Sequence, residues 1–157
     1  MTMNLNELAR GGTMCLAKAG LAIGSTEKEL AIAAPNGAGV DFAIKGIIYH
    51  LADDGSEAVT AGTAQSALTT CIYLVCLNSS GTLSTVQGTE QLNASLTAGT
   101  VVLAWPTPTA DTCCIGAVKV KCENDATFTA GTTDFDETDV TATYYDLLCV
   151  PVAPLTS

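Results

Sequence analysis

Seven consecutive apolar residues, Cys71-Ile72-Tyr73-Leu74-Val75-Cys76-Leu77, stand in the middle of this chain. The run is rich in β-formers and ends at Asn78-Ser79-Ser80-Gly81, so it predicts a central strand and then a hairpin turn into 82–86. A central strand needs partners, and the sequence offers several. Val40, Phe42 and Ile44, followed by Ile47, Ile48, Tyr49 and Leu51, read as one long strand with a parity shift near Gly46, where a glycine suggests a bulge. Val101 to Trp105 reads as a strand stopped by Pro106 and Pro108. Ile115 to Cys122 reads as another, Glu123-Asn124-Asp125 as a turn into Ala126 to Thr129, and Asp146 to Val152 as the last strand. Many short strands and glycine-rich turns point to an all-β fold: a single antiparallel β-sandwich or barrel, jelly-roll-like, over 28–157. Residues 1–27 differ. Gly11-Gly12 and Gly20 break any continuous helix there, and the segment reads as a partly helical N-terminal arm that contacts a neighbouring subunit.

Charge narrows the function classes. Six basic residues face sixteen acidic ones, the formal net charge is −10, and charged residues make up only 14% of the chain. From Gly46 to Val118 there is no Lys or Arg at all. Nucleic-acid binding needs clustered cations to displace phosphate counterions, so no nucleic-acid partner is expected. Anionic membrane surfaces are disfavoured for the same reason, and no run of eighteen apolar residues could span a bilayer. Lys18 interrupts the one stretch, Met14 to Ile23, that imitates a signal peptide. A surface with so few charges is expected either to rely on the net charge for solubility or to be covered in an assembly.

The chemistry-bearing residues are sparse. His50 with Asp53 or Asp54 is the only conceivable catalytic dyad, and no G-x-S-x-G elbow accompanies it, so no catalytic site and no cofactor are expected. Asp53-Asp54-Gly55-Ser56-Glu57 reads as a β-turn between strands. The cluster Asp134, Asp136, Glu137 and Asp139 has the oxygens of a calcium loop, but Asp139 and Tyr145 fall where an EF-hand places Gly and Glu; it reads as a solvated loop, and no metal site is assigned. Thr-Ala-Gly-Thr recurs at 60–63, 97–100 and 129–132, each copy preceded by an apolar residue. It is read as a recurrent strand-end turn with glycine at positive φ.

Seven cysteines, Cys15, Cys71, Cys76, Cys113, Cys114, Cys122 and Cys149, show no C-x-x-C spacing. Most read as small buried hydrophobes, although an odd count allows one to pair with a neighbouring subunit. Cys71 and Cys76, five apart on one strand, face opposite sides and cannot bond each other. Alternation should likewise send one of Cys113 and Cys114 inward and the other outward, towards a subunit boundary.

The phrases Cys71-Ile-Tyr-Leu-Val, Ser80-Gly81-Thr82, Gln87-Gly88-Thr89-Glu90, Leu103-Ala-Trp-Pro106, Ile115-Gly-Ala-Val-Lys-Val120 and Ala126-Thr-Phe-Thr-Ala-Gly-Thr-Thr133 together resemble small β-rich virion proteins of tailed bacteriophages, which decorate capsids or build fibres and spikes. The resemblance covers roughly residues 40 to 150 and concerns strand-and-turn phrasing. It implies a non-enzymatic structural role: a homotrimer clamping the major capsid protein, assembled in the host cytoplasm and exposed after lysis. A particle released from a reducing cytoplasm could then be cross-linked through boundary thiols, with Cys15 and one of Cys113 and Cys114 as the candidate inter-subunit disulfide residues. The alternative is a fibre, spike or adhesin module recognising a host surface glycan, for which Tyr144-Tyr145 is the one aromatic pair that could serve; Phe42, Tyr73 and Trp105 look internal.

Overall fold

The computed structural model describes residues 12–60, 62–151 and 153–155. In chain order the strands are β1 (Met14–Cys15), β2 (Leu21–Ile23), β3 (Leu30–Ile32), β4 (Val40–Ile44), β5 (Ile47–Leu51) and β6 (Asp54–Glu57). There follow β7 (Thr69–Leu77), β8 (Leu83–Gln87), β9 (Gln91–Leu92), the short helix α1 (Asn93–Thr97), β10 (Cys113–Cys122) and β11 (Val140–Asp146). Every pairing between them is antiparallel.

The apolar run does form the central strand. All nine residues of β7 are buried, and the pleat divides them between two faces. Cys71, Tyr73, Val75 and Leu77 enter one apolar cluster; Ile72, Leu74 and Cys76 enter a second. β7 lies between β8 and β10 in a sheet of order β11-β10-β7-β8, with β9 pairing the start of β7. The first face of this sheet packs against two smaller sheets, of order β1-β4-β5 and β2-β3-β6, through Cys15, Leu21, Leu30, Ile32, Val40 and Phe42. The second face is covered by chain without strands: Leu103, Trp105, Leu147, Val150 and Leu155 close over Ile72, Leu74, Cys76, Cys114 and Ala117. The architecture is therefore an antiparallel β-sandwich, and among the described residues no sheet closes into a barrel.

Several expected boundaries move, each for a local reason. Residues 40–51 are not one bulged strand but the hairpin β4–β5, with Ile44 opposite Ile47. Lys45 (φ 52) and Gly46 (φ 80) both take positive φ, the signature of a two-residue type I′ turn. The last strand is β11, which begins at Val140 and ends at Asp146 where the expected one began. β6 occupies Asp54–Glu57, expected as a turn, and pairs with β3. Of Val101 to Trp105 only Leu103 makes a strand-like contact, an isolated bridge to Leu155, and of Ala126 to Thr129 only Phe128, opposite Gln65.

The arm also differs from expectation. Residues 1–11 lie outside the described residues. Residues 12–27 do not stand apart: β1 pairs with β4, β2 with β3, and Cys15, Ala19 and Leu21 are buried in the main core. The repeated Thr-Ala-Gly-Thr is not one recurrent turn. Gly99 and Gly131 have positive φ and Gly62 does not, while the first and third copies meet through a 3.4 Å hydrogen bond from Gly62 N–H to the Ala130 carbonyl.

Candidate functional site

The chemistry-bearing side chains do not assemble into one reactive centre among the described residues. What the fold presents instead is an apolar face and a set of enclosed thiols. β5, with sequence Ile-Ile-Tyr-His-Leu, is the outer strand of its sheet. Across that sheet Met14 sits opposite Ala43 and Ala43 opposite Ile48, which places these three in one row on the face turned away from the core. Ile47 is 60% exposed, Ile48 68%, Met14 46% and Leu16 47%. Single exposed apolar residues are ordinary, but β5 is an outer strand whose two exposed isoleucines are accompanied on that face by only one polar pair, Asp41 with His50. The reason lies in the hairpin: with Phe42 and Tyr49 stacked inward at 5.7 Å between ring centroids, alternation leaves Ile48 no place but the outside.

Six of the seven thiols are buried, and Cys149 alone is exposed. Cys113 and Cys114 do point to opposite faces of β10, as alternation requires, but both faces are covered: Cys113 enters the main core and Cys114 the second cluster. Cys15 is buried as well. The three candidate residues for an inter-subunit bond therefore lie inside the subunit, and the outward sulfur expected at Cys113/Cys114 is not found. Burial pushes the thiols of Cys71 and Cys113 up to about 12 and that of Cys122 to about 11, and raises that of Cys15 too. The neighbouring thiols of Cys76 and Cys114 act on each other: their interaction lowers the pKa of Cys76 and, together with burial, raises that of Cys114.

The remaining candidates resolve into surface features. His50 Nδ1 lies 2.8 Å from Asp41 Oδ1, its cross-strand partner, and not beside Asp53 or Asp54; both side chains are more than half exposed. Asp53 instead accepts a 2.8 Å hydrogen bond from the Ala34 N–H. Asp134, Asp136, Glu137 and Asp139 occupy a loop of turns whose backbone closes on itself through Glu137 N–H to Asp134 and Val140 N–H to Glu137. Among the described residues no three His, Cys, Asp or Glu side chains converge as a metal-binding group. Tyr144 is held against Phe135 at 6.2 Å, and Trp105 is half-buried, its indole N–H donating to the Ala153 carbonyl. A groove of about 380 Å³ runs beside α1, lined by Thr70, Asn93, Leu96, Val102, Lys119 and Lys121 among others. Most of its polar side chains are engaged: Thr70 Oγ1 bonds Asn93 Oδ1, Asn93 Nδ2 donates to the Cys122 carbonyl, and Lys121 pairs with Glu123.

Comparison with known proteins gives no match to a family model, to a curated protein or to a solved structure. Two features were missed in the sequence. The Ile47-Ile48 doublet held a signal, since adjacent residues on a strand cannot both face one core. The pairing of Cys76 with Cys114 held none, because it depends on register between strands nearly forty residues apart.

Proposed function

We propose that this chain is a non-enzymatic structural protein of a phage virion, a trimeric capsid decoration protein that stabilises the shell. The observation that supports this best is the outer strand β5 with the exposed apolar residues Met14, Leu16, Ile47 and Ile48 beside the Asp41–His50 pair, because burial against a like or neighbouring subunit satisfies both the backbone edge left free among the described residues and the exposed isoleucines. Multivalent attachment suits such a surface: contacts that are individually weak sum when one oligomer binds several shell subunits at once. The phrasing of the strands and turns, which resembles that of phage virion proteins, supports a virion as the assembly. Because the candidate thiols are enclosed, shell stabilisation in this reading rests on surface burial and not on a cross-link through Cys15, Cys113 or Cys114.

Two measurements test it. Immunogold labelling of virions carrying this chain should decorate the head. Label confined to tail tips favours a fibre or adhesin module, and unlabelled virions refute both. Light scattering on the purified protein should give a mass three times 16 kDa, and Ile48→Lys should shift it towards the monomer while the circular-dichroism spectrum of the fold is retained.

A further inference from the structure

The register of the central sheet carries an inference independent of any role in a virion. Cys76 on β7 and Cys114 on β10 are direct partners in the antiparallel ladder, and both side chains enter the second apolar cluster. Directly opposite residues in such a ladder have Cα atoms about 4.5–5.5 Å apart, within the about 4.4–6.8 Å that disulfides span. No other cysteine pair has this relation. Cys71 is opposite Val120, which leaves Cys122 on the diagonal, where separations of about 7–8 Å exceed a disulfide's reach. Cys113 is opposite Leu77, Cys15 is opposite Phe42, and no strand pairing joins these two cysteines. The ladder also slips just beyond Cys114, between Cys114 and Gly116, and a bulge bends and twists its strand locally. The irregularity adjoins Cys114 alone among the cysteines, so closing a bond there alters a ladder that is already interrupted.

We propose that Cys76 and Cys114 are a redox-convertible pair that a low-molecular-weight disulfide, such as oxidised glutathione, closes into a cross-strand bond. The Cys76 thiolate attacks one sulfur of the reagent and releases one reduced thiol, forming a mixed disulfide. The Cys114 sulfur then attacks the Cys76 sulfur, loses its proton and releases the second reduced thiol. Two S–H bonds become one S–S bond, and two electrons and two protons pass to the reagent. In the folded chain the pair lies beneath Leu103, Trp105, Leu147, Val150 and Leu155, which are joined by the Leu155–Leu103 bridge and the Trp105–Ala153 hydrogen bond. Reagent therefore meets the pair during folding or when this cover opens, and the bond once formed is shielded from reductant.

The test refolds the full chain from denaturant in a glutathione redox buffer, so that access is not limiting. The folded product is then alkylated under denaturing conditions and mapped by mass spectrometry. The expected product carries five alkylated thiols, the seven of the chain less two, with the peptides containing Cys76 and Cys114 linked. Cys114→Ala and Cys76→Ala, small apolar replacements for a buried thiol, should each leave all six remaining thiols alkylated. A folded wild-type product with seven free thiols, or with a link between any other two cysteines, overturns the proposal. So does a link that persists in Cys114→Ala.

Discussion

Gln65 shows what a single buried polar side chain does in this fold. It is fully enclosed, and each of its polar atoms has a partner: Nε2 donates to the Thr69 and Val120 carbonyls at 3.1 Å, and Oε1 accepts from the Tyr73 hydroxyl at 3.1 Å. One residue thus ties the connection before β7 to both central strands. Gln65→Ala would strand the Tyr73 hydroxyl and the Val120 carbonyl in the core, and urea denaturation should read a loss of about 2–4 kcal/mol. The thiols give a second outcome at this scale. Native protein at pH 8 should react with one equivalent of a thiol reagent, through Cys149, and Cys149→Ser should abolish that phase while unfolding releases the other six. Burial raises Cys71, Cys113 and Cys122 above the ordinary value of 9.0. The folded state therefore holds protons that the unfolded chain gives up. Their contribution is fully present below about pH 9 and is lost as pH rises through about 11 to 12, so denaturation midpoints should be level up to about pH 9 and fall beyond it.

At the scale of elements, two glycines fix where strands turn and slip. Gly46, at φ 80, completes the tight turn of β4–β5. Gly46→Ala forces an L side chain into left-handed geometry and should lower stability by about 1–2 kcal/mol by chemical denaturation. Gly116 sits at the β10 bulge, where an added Cβ would strike the Tyr145 carbonyl oxygen and the Leu21 side chain. Backbone cannot yield as a flexible side chain can, so Gly116→Ala should cost more than Gly46→Ala in the same assay. These elements also explain what was legible in the sequence. β7 and β8 were readable because an unbroken apolar run and an Asn-Ser-Ser-Gly turn are local signals. The 40–51 hairpin was misread because Lys-Gly is a weak turn signature and the apolar pattern continues across it. β11 was displaced because Val140, Ala142 and Tyr144 alternate faintly beside a conspicuous apolar Leu147-Leu148. β2, β3 and β6 hold three or four residues each, and their pairing is decided by tertiary contact.

For the whole molecule, the sandwich explains how so few charges suffice inside one subunit but not what the outer face of β1-β4-β5 meets. The absence of Lys and Arg from Gly46 to Val118 was legible, and it coincides with β5, β7 and β8, where apolar side chains and uncharged turns predominate. The burial of Cys114 was not legible, since cover on the second sheet face comes from Leu103, Trp105, Leu147, Val150 and Leu155 outside the strands, and that of Cys15 depends on the pairing of β1 with β4. If the β5 edge is the assembly surface, Ile48→Lys should abolish oligomers while Ile32→Lys, in the core, should abolish folding; circular dichroism beside light scattering separates the two.

The position of β10 has a consequence for how the chain is made. β7 can find β8 almost as soon as both are synthesised, but its other edge waits for residues 113–122, nearly forty positions later. Sheets built on such distant pairings fold slowly, on the order of milliseconds to seconds, because loop closure precedes the contacts that reward it. Over that interval a nascent chain displays a nine-residue strand with a seven-residue apolar run and one edge open. A ribosome-bound fragment ending before Cys113 is thus the species in which this protein is most exposed to aggregation and most in need of a chaperone.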